Sequence, residues 1–327
     1  MDQENDLVVG VGNGLVVYTI RVPQILTPGA KGEVFSMAAC AGGVTANSLV
    51  QLAALEVNTR WLGLVGTDSN ADLLVGALEQ AGVNVSDVHQ IDGETGFGFV
   101  IADASGERVG YCNQGTTARL SPGDVGTRFK ETIQAARVLL VEVCQFPLAS
   151  TLAAIEIASD AGTLVVLDFD SSPNEAGIPP EERNDIEEVL GQCDVVSGSC
   201  GALRDYTGLT SPKDICKYLL DYGVQLAATT MGHGGCYLAT HARGCHLPAF
   251  EIDAVDTTGA GDAFRAGLVY GFMNEMELEE TGMFATACGA LCCTSPMNQS
   301  QATKEAVLEF IAEQSAAGKE GVQHAGK

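Results

Sequence analysis

A stretch late in the chain combines a turn of small residues with two carboxylates. It reads Asp256-Thr257-Thr258-Gly259-Ala260-Gly261-Asp262, and an apolar helical pattern follows from Ala263 to Phe272. The first N–H groups of a helix lack intrahelical partners, and the helix dipole adds positive character there, so an anion can bind. Gly259 and Gly261 let the backbone approach a phosphoryl group closely. Asp262 can accept the proton of an attacking hydroxyl, although a carboxylate here also caps a helix.

A second glycine-containing turn lies near the front of the chain. Gly42 and Gly43 precede a helical pattern over Ser48 to Leu55, with Asn47 at its start. Paired glycines let a ligand lie against the backbone, and an Asn side chain offers a donor and an acceptor to a polyol. A tight turn followed by a helix-facing Asn explains the same residues equally well.

A third set of glycines, Gly10, Gly12 and Gly14, follows a short apolar strand at Leu7 to Val9. The dinucleotide-binding pattern G-x-G-x-x-G needs a glycine where Leu15 stands. A strand-like segment follows instead of a phosphate-binding helix, so a dinucleotide-binding fold is disfavoured.

Strand and helix patterns alternate through the rest of the chain, which is typical of a parallel sheet covered by helices. Strands are predicted over Val138–Val143, Leu164–Asp168 and Leu226–Thr230, and helices over Leu148–Ala161 and Pro212–Tyr222.

Three further segments predict a small separate sheet, and the last two of them alternate with a period of two. They are Leu15–Val22, Thr95–Ile101 and Glu107–Cys112, the last two joined near Gly106.

The composition is that of a globular enzyme, with 327 residues, 46% of them hydrophobic, and 39 glycines. A formal net charge of -25 argues against nucleic-acid and anionic-membrane partners, because such partners attract an excess of Lys and Arg. No apolar run reaches the roughly 18 residues of a membrane span. Eleven cysteines without a C-x-x-C pair, and no apolar leader before Asp6, predict a cytoplasmic rather than a secreted protein.

The two glycine-containing turns resemble the signatures of the phosphofructokinase-B/ribokinase family of carbohydrate kinases. Gly66-Thr67-Asp68 stands in the place of the family's G-x-D, and the segment from Thr230 to Gly235 is similar to its T-x-G-x-x-G nucleotide turn. The resemblance implies an α/β fold: a single ribokinase-like three-layer domain over residues 1–327, with a mostly parallel central sheet flanked by helices. A small β-sheet lid would be inserted in it, with strands from about 13–38 and 95–117.

The resemblance also implies a kinase that uses ATP and Mg²⁺ to phosphorylate a hydroxyl of a small sugar or sugar-like substrate, and it admits a monovalent cation as a further cofactor. Asp262 would be the catalytic base, and the amides of Gly259, Ala260 and Gly261 would hold the γ-phosphoryl group. The implied nucleotide residues are Thr230, Gly232, Gly235, Thr257 and Gly289, and the implied sugar residues are Gly42, Gly43 and Asn47. For Gly289, close helix packing is the competing interpretation.

The first departure from the family concerns the sugar site. Members usually carry an Asp shortly after the first glycines, where it holds two sugar hydroxyls, but Val17 and Tyr18 occupy that neighbourhood here. Loss of a buried carboxylate changes specificity strongly. Tyr18 is therefore a candidate for stacking on, or hydrogen bonding to, a less familiar substrate, and packing within the lid is the alternative.

The second departure concerns magnesium, because Ser199 and Ala202 stand where many members have N-x-x-E. This segment, with Asp168 and Asp170 ahead of it, resembles the branch that holds the sulfofructose kinases. One of these acids at a strand end is expected to hold Mg²⁺ through water, with Asp170 as the candidate and a solvated loop acid as the alternative. Sulfofructose itself is disfavoured, because residues 138–146 contain no Lys or Arg for a sulfonate.

Two other functions remain open on the sequence. One is a nucleoside kinase of the same family, with Tyr18 near the base. The other is a catalytically silent regulator that binds a sugar or a nucleotide, which the missing N-x-x-E and the missing lid acid would suit. The resemblance is also compatible with a homodimer formed through the lid, since exposed edge strands tend to be covered.

Overall fold

The computed structural model describes residues 6–105, 107–169, 171–179, 183–295 and 301–324. The strands are β1 (Val8–Val11), β2 (Leu15–Arg21), β3 (Ser36–Gly42), β4 (Thr59–Val65), β5 (Val88–Gln90), β6 (Thr95–Ala102), β7 (Arg108–Gly115), β8 (Val138–Val143), β9 (Leu164–Phe169), β10 (Val195–Ser199), β11 (Leu226–Thr230), β12 (Cys236–Ala239) and β13 (Gly244–Leu247).

The helices are α1 (Val44–Ala54), α2 (Ser69–Gln80), α3 (Pro122–Asp124), α4 (Lys130–Ala135), α5 (Leu148–Ala161), α6 (Arg183–Leu190), α7 (Cys200–Thr207), α8 (Pro212–Leu220), α9 (Ala260–Met273), α10 (Leu278–Cys293) and α11 (Lys304–His324). A π-helical turn at Val125–Phe129 joins α3 to α4, and short 3₁₀ helices lie at Thr116–Arg119 and Gly232–Gly234.

Nine strands form the central sheet in the order β13-β12-β11-β10-β9-β8-β1-β4-β5. All neighbouring pairs from β11 to β5 are parallel, and β12 and β13 are antiparallel additions at one edge. The prediction of a mostly parallel sheet is therefore confirmed. The antiparallel edge arises because the tight turn from Thr230 to Gly235 returns the chain directly beside β11.

Apolar side chains cover both faces of this sheet, as three layers require. Alternate residues of β1 point to opposite faces, so Val8 packs in one core cluster and Val9 in the other. The first cluster takes in α1, α2, α9 and α10, and the second takes in α5 and α8. Trp61 is the largest fully buried side chain. In the part of the chain that is described, no helix is both long and apolar enough to cross a membrane.

A separate four-stranded sheet has the order β3-β2-β6-β7. Strands β2 and β6 pair in parallel, and each carries an antiparallel neighbour. Three of these strands match the predicted segments. Strand β3 has no strong strand signal, because its sequence Ser-Met-Ala-Ala-Cys-Ala-Gly consists mostly of small residues, and its pairing with β2 holds it extended.

Candidate active site

The signature turn leads directly into α9. Gly259 adopts a left-handed conformation with φ of 81°, which favours glycine, and forms the N-cap of the helix without a side-chain cap. The Asp256 carboxylate shapes the turn by accepting a hydrogen bond from the Thr258 N–H at 2.9 Å. The Ala260 N–H donates to the Thr257 carbonyl at 3.3 Å. A Cβ added at Gly261 would meet no atom within 4 Å, so the backbone there faces open space.

The Asp262 carboxylate lies where the first turn of α9 meets the first turn of α1. Asn47 donates from Nδ2 to Asp262 Oδ2 at 2.6 Å. The hydroxyl of Ser48 donates to the Asp262 carbonyl at 3.0 Å. The two glycine-containing turns, far apart in sequence, therefore converge on one carboxylate.

Burial raises the pKa of Asp262 to about 7. The positive charge of Arg265 and the hydrogen bond from Asn47 oppose this rise, and the negative charges of Asp168 and Glu142 add to it. A carboxyl with a pKa near neutrality is suited to accepting a proton at physiological pH.

A cavity of about 490 Å³ opens on one side of this centre. Every residue that the sequence implied for the nucleotide borders it, namely Thr230, Gly232, Gly235, Thr257 and Gly289. Ala260 and Gly261 border it too, opposite apolar side chains that include Phe250 and Phe264. A Cβ added at Gly289 would lie 3.1 Å from the Ala260 carbonyl oxygen, so this glycine also serves the close packing of α10 on α9.

A narrow cavity of about 110 Å³ continues from there to the carboxylates. It is lined by Asp168 and Asp262, and it shares Ser199, Thr230 and Gly261 with the larger cavity. The narrow cavity thereby joins the cavity of about 490 Å³ to the carboxylate of Asp262.

A third cavity, of about 540 Å³, lies beside the front turn and is bordered by Gly42 and Asn47. Gly43 is the N-cap of α1 with φ of 106°. The structure places Tyr18 against α2, where its hydroxyl donates to Asn70 Oδ1 at 2.6 Å, and its ring stacks on Phe99 at 5.5 Å between centroids.

Of the two acids considered for Mg²⁺, the structure describes Asp168. Asp170 lies outside the described residues. Asp168 accepts a hydrogen bond from the Ser197 hydroxyl at 2.7 Å. Ser199 caps α7, because its hydroxyl accepts from the Ala202 N–H at 3.1 Å. Within the described ranges, no group of three or more His, Cys, Asp or Glu side chains is arranged to hold a metal.

One arginine of the small sheet reaches the signature turn. Arg108, the first residue of β7, donates to the hydroxyls of Thr257 at 2.8 Å and Thr258 at 3.1 Å. It also lies 3.7 Å from a carboxylate oxygen of Asp256. One side chain of the small sheet thus contacts the turn that precedes α9.

The sequence motifs do not reveal two buried charges beneath the site. Glu142 of β8 and Arg265 of α9 are both 0% exposed. Glu142 accepts hydrogen bonds from the Thr45 hydroxyl at 2.8 Å and from the backbone N–H of Asn13. The available signal was a charged residue inside an otherwise apolar element, such as the Glu within Val-Leu-Leu-Val-Glu-Val.

Comparisons with known proteins bear on the family and the fold of the chain. Residues 6–305 match the description "pfkB family carbohydrate kinase". The chain is 31% identical over 301 residues to an ATP-dependent ribose-1-phosphate kinase of Halopiger xanaduensis, covering 90% of this chain and 94% of that protein. It is 30% identical to fructokinase-1 of Oryza sativa, with the same coverage. The structure of Arabidopsis thaliana ribokinase complexed with ribose and ATP matches with a TM-score of 0.81 and 22% identity, covering 94% of this chain and 98% of that one.

Proposed function

The chain belongs to the pfkB family of carbohydrate kinases, and from that premise we propose that it transfers the γ-phosphoryl group of ATP to a hydroxyl of a small sugar, with Asp262 as the base. One observation carries the proposal. The Asp262 carboxyl, with a pKa of about 7, is hydrogen bonded to Asn47 and reaches the nucleotide-side cavity through the narrow cavity.

Asp262 removes the proton of the substrate hydroxyl as its oxygen attacks the γ-phosphorus. The bond from that phosphorus to the bridging oxygen then breaks, and ADP leaves with the bonding electron pair. General-base assistance of this kind contributes about 10²- to 10⁴-fold to the rate. Asn47 holds the carboxylate in place from the adjacent helix.

The backbone at Gly259, Ala260 and Gly261 stabilises the phosphoryl group during transfer. Phosphoryl transfer depends mainly on alignment and on stabilisation of negative charge, which preorganised amides at a helix N-terminus provide. The open space at the Cβ position of Gly261 supports this assignment, because a phosphoryl oxygen needs the room that a side chain would fill.

We assign ATP to the cavity of about 490 Å³, where apolar side chains would face the adenine and small residues lead towards α9. For Mg²⁺, the Asp168 carboxylate on the narrow cavity has the right donor chemistry, since Mg²⁺ keeps several waters and needs few protein oxygens. When bound, Mg²⁺ would neutralise negative charge on the ATP phosphates. The neighbouring Asp170 is a second candidate for the same role by sequence.

The sugar would enter from the front turn, where Gly42, Gly43 and Asn47 lie. Tyr18 would then border the substrate only through its ring, because its hydroxyl is hydrogen bonded to Asn70. A nucleoside substrate would require its base to pack against the stacked rings of Tyr18 and Phe99. Contact between these rings and the substrate is therefore the feature that would distinguish a nucleoside from a sugar.

The same proposal extends to assembly. Large apolar side chains are exposed on β3, on β7 and just before β3, namely Val34, Phe35, Met37, Val109 and Tyr111. A second copy covering this part of the small sheet would bury them and protect edge strands β3 and β7. Light scattering at micromolar concentration should give the mass of a dimer, and replacement of Phe35 and Met37 by Ser should give a monomer. A monomeric wild type would exclude this assembly.

The test of the catalytic proposal is ADP release measured across sugars, sugar phosphates and nucleosides, with thermal shift by ATP recorded alongside. Stimulation by a sugar supports the proposal. Stimulation only by nucleosides would move the chain to the nucleoside kinases. Stabilisation by ATP or a sugar without any ADP release would leave a binding regulator and contradict the kinase proposal.

A further inference from the structure

A fully buried arginine lies one helical turn beyond the base. Arg265 is three residues after Asp262 in α9, so both side chains point to the same face of the helix. Its side chain is 0% exposed. A buried guanidinium is costly unless carboxylates and hydrogen-bond acceptors surround it, so its place beneath the site calls for a role.

The guanidinium ties the first turn of α1 to the first turn of α9. Arg265 Nε and Nη2 donate to the Ser48 hydroxyl oxygen at 3.0 and 2.8 Å. Nη2 also donates to the Val44 carbonyl at 2.8 Å. Ser48 is the neighbour of Asn47, whose amide holds Asp262, so the arginine fixes the backbone that presents this amide.

The surrounding charges are unbalanced. Three carboxyl groups, Glu142, Asp168 and Asp262, interact electrostatically with Arg265, and burial raises the pKa of each. Arg265 Nη1 lies 3.8 Å from Asp168 Oδ2. Within the described residues, Arg265 Nη1 and Glu142 Oε2 are buried without hydrogen-bond partners. Nε and Nη2 therefore donate to α1, whereas Nη1 lies nearest the Asp168 carboxylate.

We propose that Arg265 is a positioning residue for phosphoryl transfer: it holds Asn47 against Asp262 and supplies the buried counter-charge that lets Asp262 act as a carboxylate. This inference rests on the proposed function, because Asp262 is there the base. The groups that bear on Asp262 from the packed elements are Asn47 of α1, Glu142 of β8, Asp168 of β9, Cys292 of α10 and Arg265 itself.

The sign of the effect follows from these neighbours. Removing the positive charge leaves burial and two acids to act on Asp262, so its carboxyl keeps its proton to higher pH. Removing the negative charge of Glu142 acts in the opposite direction. A purely structural arginine would change activity equally at all pH values.

The test compares wild type with Arg265→Met, Arg265→Lys and the double variant Arg265→Met with Glu142→Gln. The first readout is the titration of the Asp262 carboxyl by ¹³C NMR, assigned with Asp262→Asn. We expect Arg265→Met to raise the midpoint by about one unit or more, since a nearby opposite charge shifts a carboxyl pKa by about one to three units. We expect Arg265→Lys to stay near wild type, and the double variant to lie between wild type and Arg265→Met. An unchanged midpoint in Arg265→Met contradicts the proposal.

The second readout is kcat against pH. In Arg265→Met, kcat at pH 7 should fall about tenfold or more and recover above pH 8 only to the level of Arg265→Lys, with little change in KM for ATP, whereas a loss that is uniform across pH would overturn the inference. If Arg265→Met does not fold, Arg265→Lys decides: the charge without the fork should lower kcat but keep the midpoint, and an unchanged kcat would overturn the role in positioning Asn47. The NMR titration needs no turnover, so an inactive wild type would contradict the proposed function alone.

Discussion

Two cavities near the candidate site are built differently, one of about 490 Å³ beside the start of α9 and one of about 540 Å³ beside the start of α1. The cavity of about 490 Å³, which we propose for the nucleotide, is bordered by glycine-containing turns at Gly232 to Gly235 and at Gly261, and by side chains that include Phe250 and Phe264. The cavity of about 540 Å³, which we propose for the acceptor, is bordered by residues of β3, α1 and α2, including Asn47, Asp72 and Leu73. Both depend on tertiary packing, but the first also contains two short contiguous motifs, at Thr230 to Gly235 and at Thr257 to Gly261.

This difference separates reaction type from substrate choice. Backbone amides and glycine spacing can be recognised in a sequence, because a specific turn needs them in a specific order. Side chains that select a sugar come from several elements and vary independently, and specificity depends on which buried polar groups find partners. Motifs therefore indicate phosphoryl transfer more directly than they indicate its acceptor.

Gly261→Val tests the cavity that we propose for the nucleotide and should reduce activity strongly. The added side chain meets no protein atom near its Cβ position and would project into the space proposed for the phosphoryl group. We expect kcat to fall by about 10²-fold or more, as for loss of one oxyanion-hole contact, with little change in melting temperature. Gly126→Val is the matched control, since its Cβ would also meet open space, and it should keep full activity. Equal kcat values in the two variants would remove Gly261 from the phosphoryl site.

Asn47→Ala tests the role of the third cavity, which we propose for the acceptor. It removes the 2.6 Å hydrogen bond to Asp262 and a polar group that borders the third cavity. Steady-state kinetics should show kcat/KM for the acceptor reduced about 10- to 100-fold, while the Kd for ATP stays within about twofold, as loss of a charge-assisted hydrogen bond predicts. Weaker ATP binding with unchanged acceptor kinetics would show that Asn47 serves the nucleotide, and would contradict its assignment to the acceptor site.

Asp262→Asn separates function from stability. The folded-state pKa of about 7 lies above the unfolded value of about 3.9, so the native state binds more protons between these values and loses stability as pH rises through that window. Asn cannot ionise, and its oxygen can still accept from Asn47. Denaturation in urea should therefore find the variant about 1 to 2 kcal/mol more stable than wild type at pH 8, and no more stable at pH 4. A variant that is less stable at pH 8 would show that the carboxylate is not strained by burial.

Arg108→Gln gives the smallest expected effect. This half-exposed arginine joins the small sheet to Thr257 and Thr258, and exposed pairs contribute about 0 to 1 kcal/mol. KM should rise about two- to fivefold for both substrates, with melting temperature unchanged and less effect at high salt. Arg21→Gln, in β2 of the same sheet, is the control and should behave as wild type. A salt-independent effect would indicate packing rather than charge.

The sequence was informative where local pattern decides structure. The bounds of β8, α5 and β11 agree with the predicted segments. Short apolar runs define the two strands, and the left-handed Gly162 ends α5, and both signals act locally. Strand β3 and the antiparallel edge strands were not expected, because pairing with neighbours decides them. Sequence motifs do not indicate Glu142 and Arg265 as residues of the site. A buried charge is recognised by its partners, and most of these lie far away in the chain.

The central claim is tested most directly by the rate of the chemical step in Asp262→Asn. Single-turnover transfer of the γ-phosphoryl group from ATP, with the acceptor that the substrate survey identifies, should be slower than wild type by about 10²- to 10⁴-fold, while ATP still binds. Asp253→Asn, an exposed acid in the segment leading to the same turn, should react at the wild-type rate. Equal rates for Asp262→Asn and wild type would contradict the assignment of Asp262 as the base.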